Sequence, residues 1–125
     1  MKICISAQGD NLDCQVDPRF GRCRYFIFVD TDNMEFEAVD NSNAASAGGA
    51  GIRSAQLVAD KGVQALLSGN VGPNAFQALQ AAGIKVVAGV SGTVREAAEK
   101  FKTGEYKETT DPSVGEKFGM GGRPE

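Results

Sequence analysis

The chain has 125 residues and a mass of 13.1 kDa, enough for one ordinary domain with a single core. A net charge of -3 and a pI near 5.0 exclude a nucleic-acid binder that works by neutralising phosphates, and no apolar run approaches the roughly 20 residues that span a bilayer. Histidine is absent, which removes Ser-His-Asp and Cys-His nucleophilic catalysis, His-ligated metal sites and the commonest general base.

Met1 leads straight into residues 2–7 (KICISA), a β-branched and apolar run read as the first strand. It is too short for a signal-peptide core, so cytoplasmic residence is expected. Residues 24–30 (RYFIFVD) read as a second strand, and Thr31-Asp32-Asn33 turns the chain into a third at about 35–40. There Glu35 and Glu37 alternate with Phe36 and Ala38, the pattern of a half-exposed hairpin partner. After Asn41 the pattern changes to strand–helix repetition. Residues 46–51 are small, and Ile52, Ala55, Leu57, Val58 and Ala59 then recur at helical intervals until Lys61-Gly62.

A short buried strand is expected at 63–67, followed by Gly69, Asn70, Gly72 and a second helix. Pro73 suits its first position, Phe76, Leu79 and Ala82 line one face, and Gly83 ends it. Residues 84–88 read as the fifth strand. Gly89, Ser91 and Gly92 then open a third helix to about Lys102, with Thr93 and Glu96 spaced as a capping box. From Thr103 the chain is polar and ends in a glycine-rich run without periodicity. Residues 1–102 are therefore taken as the folded domain and 103–125 as a flexible tail.

This βββαβαβα order is most simply satisfied by an α/β domain with a five-stranded mixed sheet in the order 3-2-1-4-5, strand 2 alone antiparallel, flanked by three helices. The ends of strands 1, 3, 4 and 5 and the start of strand 2 then share one edge. That edge collects the glycines 48, 49, 51, 69, 72, 89 and 92 together with Asn70, Ser91 and the Arg19-Phe20-Gly21-Arg22-Cys23-Arg24 segment. Helix N-termini there offer unpaired N–H groups, glycines admit close approach to the backbone, and arginines add delocalised charge. Any one such turn is more often plain turn chemistry. Together they point to an anion site.

The turns lack the Gly-Lys-Ser/Thr ending of a nucleotide P-loop and the spacing of a dinucleotide fingerprint. The three cysteines, Cys4, Cys14 and Cys23, match neither a disulfide framework nor a CxxC motif and read as free thiols in a reducing compartment.

The stretch Gly9 to Phe26, with its Asp17-x-Arg-Phe-Gly-Arg22 core followed by Tyr25-Phe26, then Asn41 with Gly48-Gly-Ala-Gly51, then Gly69-Asn-Val-Gly-Pro-Asn-Ala75, resembles the dinitrogenase iron-molybdenum cofactor biosynthesis family (NifX-like and NifB C-terminal-like). The likeness covers about residues 1–102 and is to the small stand-alone kind. It implies a ribonuclease-H-like fold and a metal-sulfur cluster as ligand, iron-molybdenum-sulfur or iron-sulfur. Some cofactor-binding members are thought to use a histidine ligand, which this chain lacks. Direct ligation would then fall to Cys23, placed first because Arg22 and Arg24 flank it, or to Cys14, with Cys4 and Met120 behind.

The expected function is a non-enzymatic, monomeric carrier that holds the cluster through backbone N–H groups, Arg19 and Arg22, served by unidentified donor and acceptor proteins, with neither nucleic acid nor membrane as partner. A regulatory domain binding a small phosphorylated or carboxylated metabolite on the same edge is the alternative. An enzyme would have to rely on Cys23 as nucleophile with Asp17 or Asp13 nearby.

Overall fold

Alternation within the first strand decides where the core lies. In β1 (Lys2–Ala7), Ile3, Ile5 and Ala7 face one side of the sheet, Cys4 and Ser6 the other, and all five are inaccessible to solvent. The computed structural model, which describes residues 1–41 and 49–109, pairs β1 antiparallel with β2 (Tyr25–Asp30), setting Cys4 opposite Phe28 and Ile5 opposite Ile27. On its other side β1 runs parallel to β4 (Ala65–Leu67), which runs parallel to β5 (Lys85–Val87). β3 (Phe36–Asp40) completes the sheet antiparallel to β2. The order is β3-β2-β1-β4-β5 with β2 alone reversed, as the element order required.

Helices α1 (Ala50–Asp60) and α2 (Pro73–Ala81) cover the face that carries Cys4, Phe26, Phe28, Leu66 and Val86. Helix α3 (Val94–Lys102) covers the opposite face, over Ile3, Ile5, Ile27, Val29 and Leu67. With both faces buried, the central strands read as continuous apolar runs, and only the edge strand β3 keeps the polar alternation seen in its sequence.

Several boundaries shift. Helix α1 begins at Ala50 rather than Ile52, because Gly49, at φ +74°, turns the chain in the left-handed region that a glycine adopts freely. β4 and β5 span three residues each, although the extended chain lies alongside its neighbours earlier: the Gln64 N–H donates to Lys2 O at 2.9 Å, and Lys85 N–H to Gln64 O at 3.1 Å.

The segment after 102, expected to bury nothing, is not all free chain. Tyr106 is half-buried against the α3-side core, Thr109 N–H donates to Val86 O at 2.6 Å, and Ala88 N–H donates to Thr109 Oγ1 at 2.9 Å. Residues 105–109 thus lie against the outer side of β5. The run beyond 109 is outside the described residues. Among the described residues no helix is long and apolar enough to cross a membrane.

Candidate functional site

Between β1 and β2 the chain crosses the carboxyl edge of the sheet as an extended strip. Single bridges pin it at Ala7–Val16, Gln15–Thr93 and Arg19–Asn70. At the last of these, Phe20 N–H donates to Asn70 O at 3.2 Å and Asn70 N–H to Pro18 O at 2.7 Å. Gly69 makes the approach possible, since a Cβ there would stand 2.6 Å from Pro18 Cα. The strip then turns at 19–22 against the start of α1: a Cβ on Gly21 would stand 2.8 Å from Gly51. Gly51 in turn faces Ala75 Cβ in the first turn of α2, where a methyl would be 3.4 Å away. These contacts enclose an open pocket of about 520 Å³, lined by residues 19–22, 49–52, Asn70 and 72–75.

Among the described residues, neither helix that starts at this pocket has a side-chain cap, and neither carries an acidic residue in its first turn. Helix α3, which starts elsewhere, has a full capping box: Thr93 Oγ1 accepts from Glu96 N–H at 3.1 Å, and Glu96 Oε1 accepts from Thr93 N–H at 2.9 Å. That hydrogen bond from the main chain holds the Glu96 carboxyl below its usual range. The contrast matters because an uncapped helix start keeps its N–H donors and positive dipole end for a ligand. Arg19 and Arg22 line the same pocket.

A buried polar network fixes the strip from below. Ser6 Oγ donates to Asp17 O at 2.7 Å and lies 2.8 Å from Ser68 Oγ, so β1, β4 and the strip share one bond system. The Asp17 carboxylate, almost wholly buried, accepts the Arg19 main-chain N–H at 2.9 Å and its Nε–H at 3.3 Å. Asn41 Nδ2 donates to Cys23 O at 3.0 Å and Gly21 O at 3.4 Å, bracing the turn from the end of β3.

Of the residues named from sequence, the pocket brings together Arg19, Arg22, Gly49, Gly51, Asn70 and Gly72. Gly48 lies outside the described residues. Gly69 is a packing residue beneath the pocket. Gly89, Ser91 and Gly92 are not in its lining; they lead to α3 on the opposite face of the sheet, where Gly92 O accepts the Val16 N–H at 2.9 Å. One sheet edge has two faces, and the crossover to α3 carried this third glycine turn to the other one.

The cysteines also stand apart from the pocket lining. Cys23 is inaccessible to solvent, and its thiol is pushed up to about 12 by burial and, second, by the Asp17 carboxylate. The expectation that flanking arginines favour a thiolate there is therefore corrected: both arginines are exposed while the sulfur points into the core. Cys4 is fully buried, and burial raises its thiol as well. Cys14 is half-buried in the 8–16 loop, its Sγ 3.1 Å from Asn11 O. Among the described residues no group of three or more His, Cys, Asp or Glu could hold a metal ion. The donor set suits an anion that accepts hydrogen bonds, and a cluster that brings its own sulfide shell meets that requirement.

Sequence reasoning did not name Ser68, and it placed Ser6, Gly21 and Asn74 at this edge or in its motifs without giving any of them a role. Two buried serines at the ends of strands β1 and β4 were the available signal, since a hydroxyl amid apolar strand residues needs a partner.

An open mixed sheet with a basic, glycine-lined pocket at the carboxyl ends of its parallel strands defines a class, the small ribonuclease-H-like α/β domains whose pockets are built on helix N-termini. Within that class the chain belongs to the dinitrogenase iron-molybdenum cofactor family, whose model matches residues 1–104. It is similar to the orange protein of Desulfovibrio gigas, solved in its apo form, with 47% identity, a TM-score of 0.86, and coverage of 89% of this chain and 94% of that one. It is also similar to a candidate NifB protein of Thermotoga, at 41% identity, a TM-score of 0.74, and coverage of 86% and 91%. An uncharacterised protein of Methanocaldococcus jannaschii is 31% identical over 110 residues, which is 86% of this chain and 90% of that protein.

Proposed function

We propose that the protein is a carrier for an anionic metal-sulfur cluster, iron-molybdenum-sulfur or iron-sulfur, held in the pocket by helix N–H donors and by Arg19 and Arg22. The observation that carries this reading is the convergence, among the described residues, of two helix starts without a side-chain cap and two arginines on a pocket whose described lining holds no carboxylate and no thiol. Sulfides on such a cluster accept hydrogen bonds from N–H groups and guanidinium, so it can be held without a protein ligand to the metal. Binding by hydrogen bonds and charge leaves the cargo releasable, as transfer from a donor protein to an acceptor demands. A reducing cytoplasm suits both the cargo and the three free thiols.

Metal analysis of the protein purified without oxygen from its native host tests the reading. Iron or molybdenum with acid-labile sulfide is the expected result. A metal-free protein that is instead stabilised in a thermal shift by a phosphorylated or carboxylated metabolite, by ~2.7 kcal/mol at one hundred times its Kd, would replace it with the metabolite-binding alternative.

A further inference from the structure

Beneath the pocket rim lies a buried carboxylate that the carrier reading leaves without a role. Asp17 is 2% exposed, whereas the Arg19 side chain it contacts is 65% exposed and lines the pocket. An arginine that open to solvent ordinarily samples many rotamers and contributes little directed bonding. Here Asp17 Oδ1 takes both the Arg19 main-chain N–H at 2.9 Å and the side-chain Nε–H at 3.3 Å. Asp17 is itself fixed, its N–H donating to Ser6 O at 2.8 Å and its carbonyl accepting from Ser6 Oγ at 2.7 Å. A guanidinium carries five N–H donors in one plane; with Nε taken, the four on the two Nη atoms remain as a fork.

We propose that Asp17 is a positioning residue: it holds Arg19 by Nε so that both Nη groups are presented together to the pocket, making the site selective for an anion with two adjacent acceptor atoms, sulfido or oxo, on one edge. The ligand in this statement rests on the carrier reading; the orientation of Arg19 does not. A carboxylate that merely shaped the turn would need only the main-chain bond. Asp17→Asn separates the two roles, because an amide oxygen still accepts the Arg19 main-chain N–H but no longer holds the guanidinium by charge.

Two measurements decide the matter. Spin relaxation of the arginine side-chain 15Nε in the cluster-free protein should give Arg19 an order parameter near the rigid value of about 0.85, falling below about 0.6 in Asp17→Asn while Arg22 is unchanged. A mobile Arg19 Nε in the wild type overturns the proposal. In anaerobic titration with ferrous iron, molybdate and sulfide, Asp17→Asn and Arg19→Lys should each weaken cluster uptake by about tenfold, and the double variant no further, while Arg22→Ala adds independently to Asp17→Asn. Additive losses at 17 and 19 overturn it. Arg19→Lys alters an exposed side chain, so its loss is readable even if Asp17→Asn fails to fold. If the wild type takes up no cluster, the carrier reading and the selectivity fall together, and Arg19 order still decides the positioning: rigid supports it, mobile removes it.

Discussion

Gly21 stands directly against Gly51, so that a Cβ on Gly21 would lie 2.8 Å from both the Cα and the main-chain nitrogen of Gly51. The contact ties the arginine turn to the first turn of α1, and both obstructing atoms are backbone, which cannot swing aside. Gly21→Ala is expected to cost about 1–3 kcal/mol in chemical denaturation and to reduce cluster uptake by pushing Arg19 and Arg22 off the helix start. Gly62→Ala is the matched control: its Cβ meets nothing, its φ of +70° strains an alanine by about 1–2 kcal/mol, and uptake should be untouched.

That contact also shows where sequence reasoning stopped. Period and turn chemistry were enough for the sheet order, since KICISA and RYFIFVD could only be buried strands, and Pro73 and the Thr93–Glu96 pair marked two helix starts in advance. The arginines and the glycines near 49 and 72 were legible as one site because they end on one edge. Two things were not legible. A list of residues on an edge does not say which face each crossover takes, and Gly89, Ser91 and Gly92 lead to the helix on the face away from the pocket. Nor does charge adjacency in sequence reveal that Cys23 turns inward while Arg22 and Arg24 turn out.

Cys23 makes stability fall at alkaline pH. Its folded pKa is raised from 9.0 to about 12, first by burial and then by Asp17, with hydrogen bonds from the Ala7 and Cys23 main chain and the Asn41 amide pulling only partly back. Above pH 9 the unfolded chain releases this proton and the folded one keeps it, so unfolding becomes easier as pH rises. The contribution is fully present below pH 9 and is lost on the way to about 12. Urea denaturation from pH 8 to 11 should show this decline, and Cys23→Ala should make it shallower. Iodoacetamide at pH 8 should label Cys14 in the folded protein, leaving Cys4 and Cys23 to react only on unfolding.

The capping box of α3 separates stability from cargo. Thr93→Ala removes the acceptor of the Glu96 N–H and should destabilise by about 1 kcal/mol, seen as a lower midpoint in denaturant. Because α3 starts on the face away from the pocket, cluster uptake per folded molecule should equal that of the wild type.

Residues 105–109 should matter more than the rest of the segment after α3. Truncation after Thr109 keeps Tyr106 against the core and both hydrogen bonds to the β5 segment. Truncation after Gly104 removes them and bares the side of β5 that they cover, so its Tm should be lower than that of the longer form, with faster amide exchange at residues 85–88.

The central claim is that the pocket's arginines, and not the cysteines, hold the cargo. Reconstitute the wild type, Arg19→Ala with Arg22→Ala, and Cys23→Ala with Cys14→Ala without oxygen from ferrous iron, molybdate and sulfide, and measure the metal that stays with each protein through gel filtration. The account predicts bound metal and visible absorption in the wild type and the double cysteine variant, and their loss in the double arginine variant. Metal retained without the arginines but lost without the cysteines would contradict it.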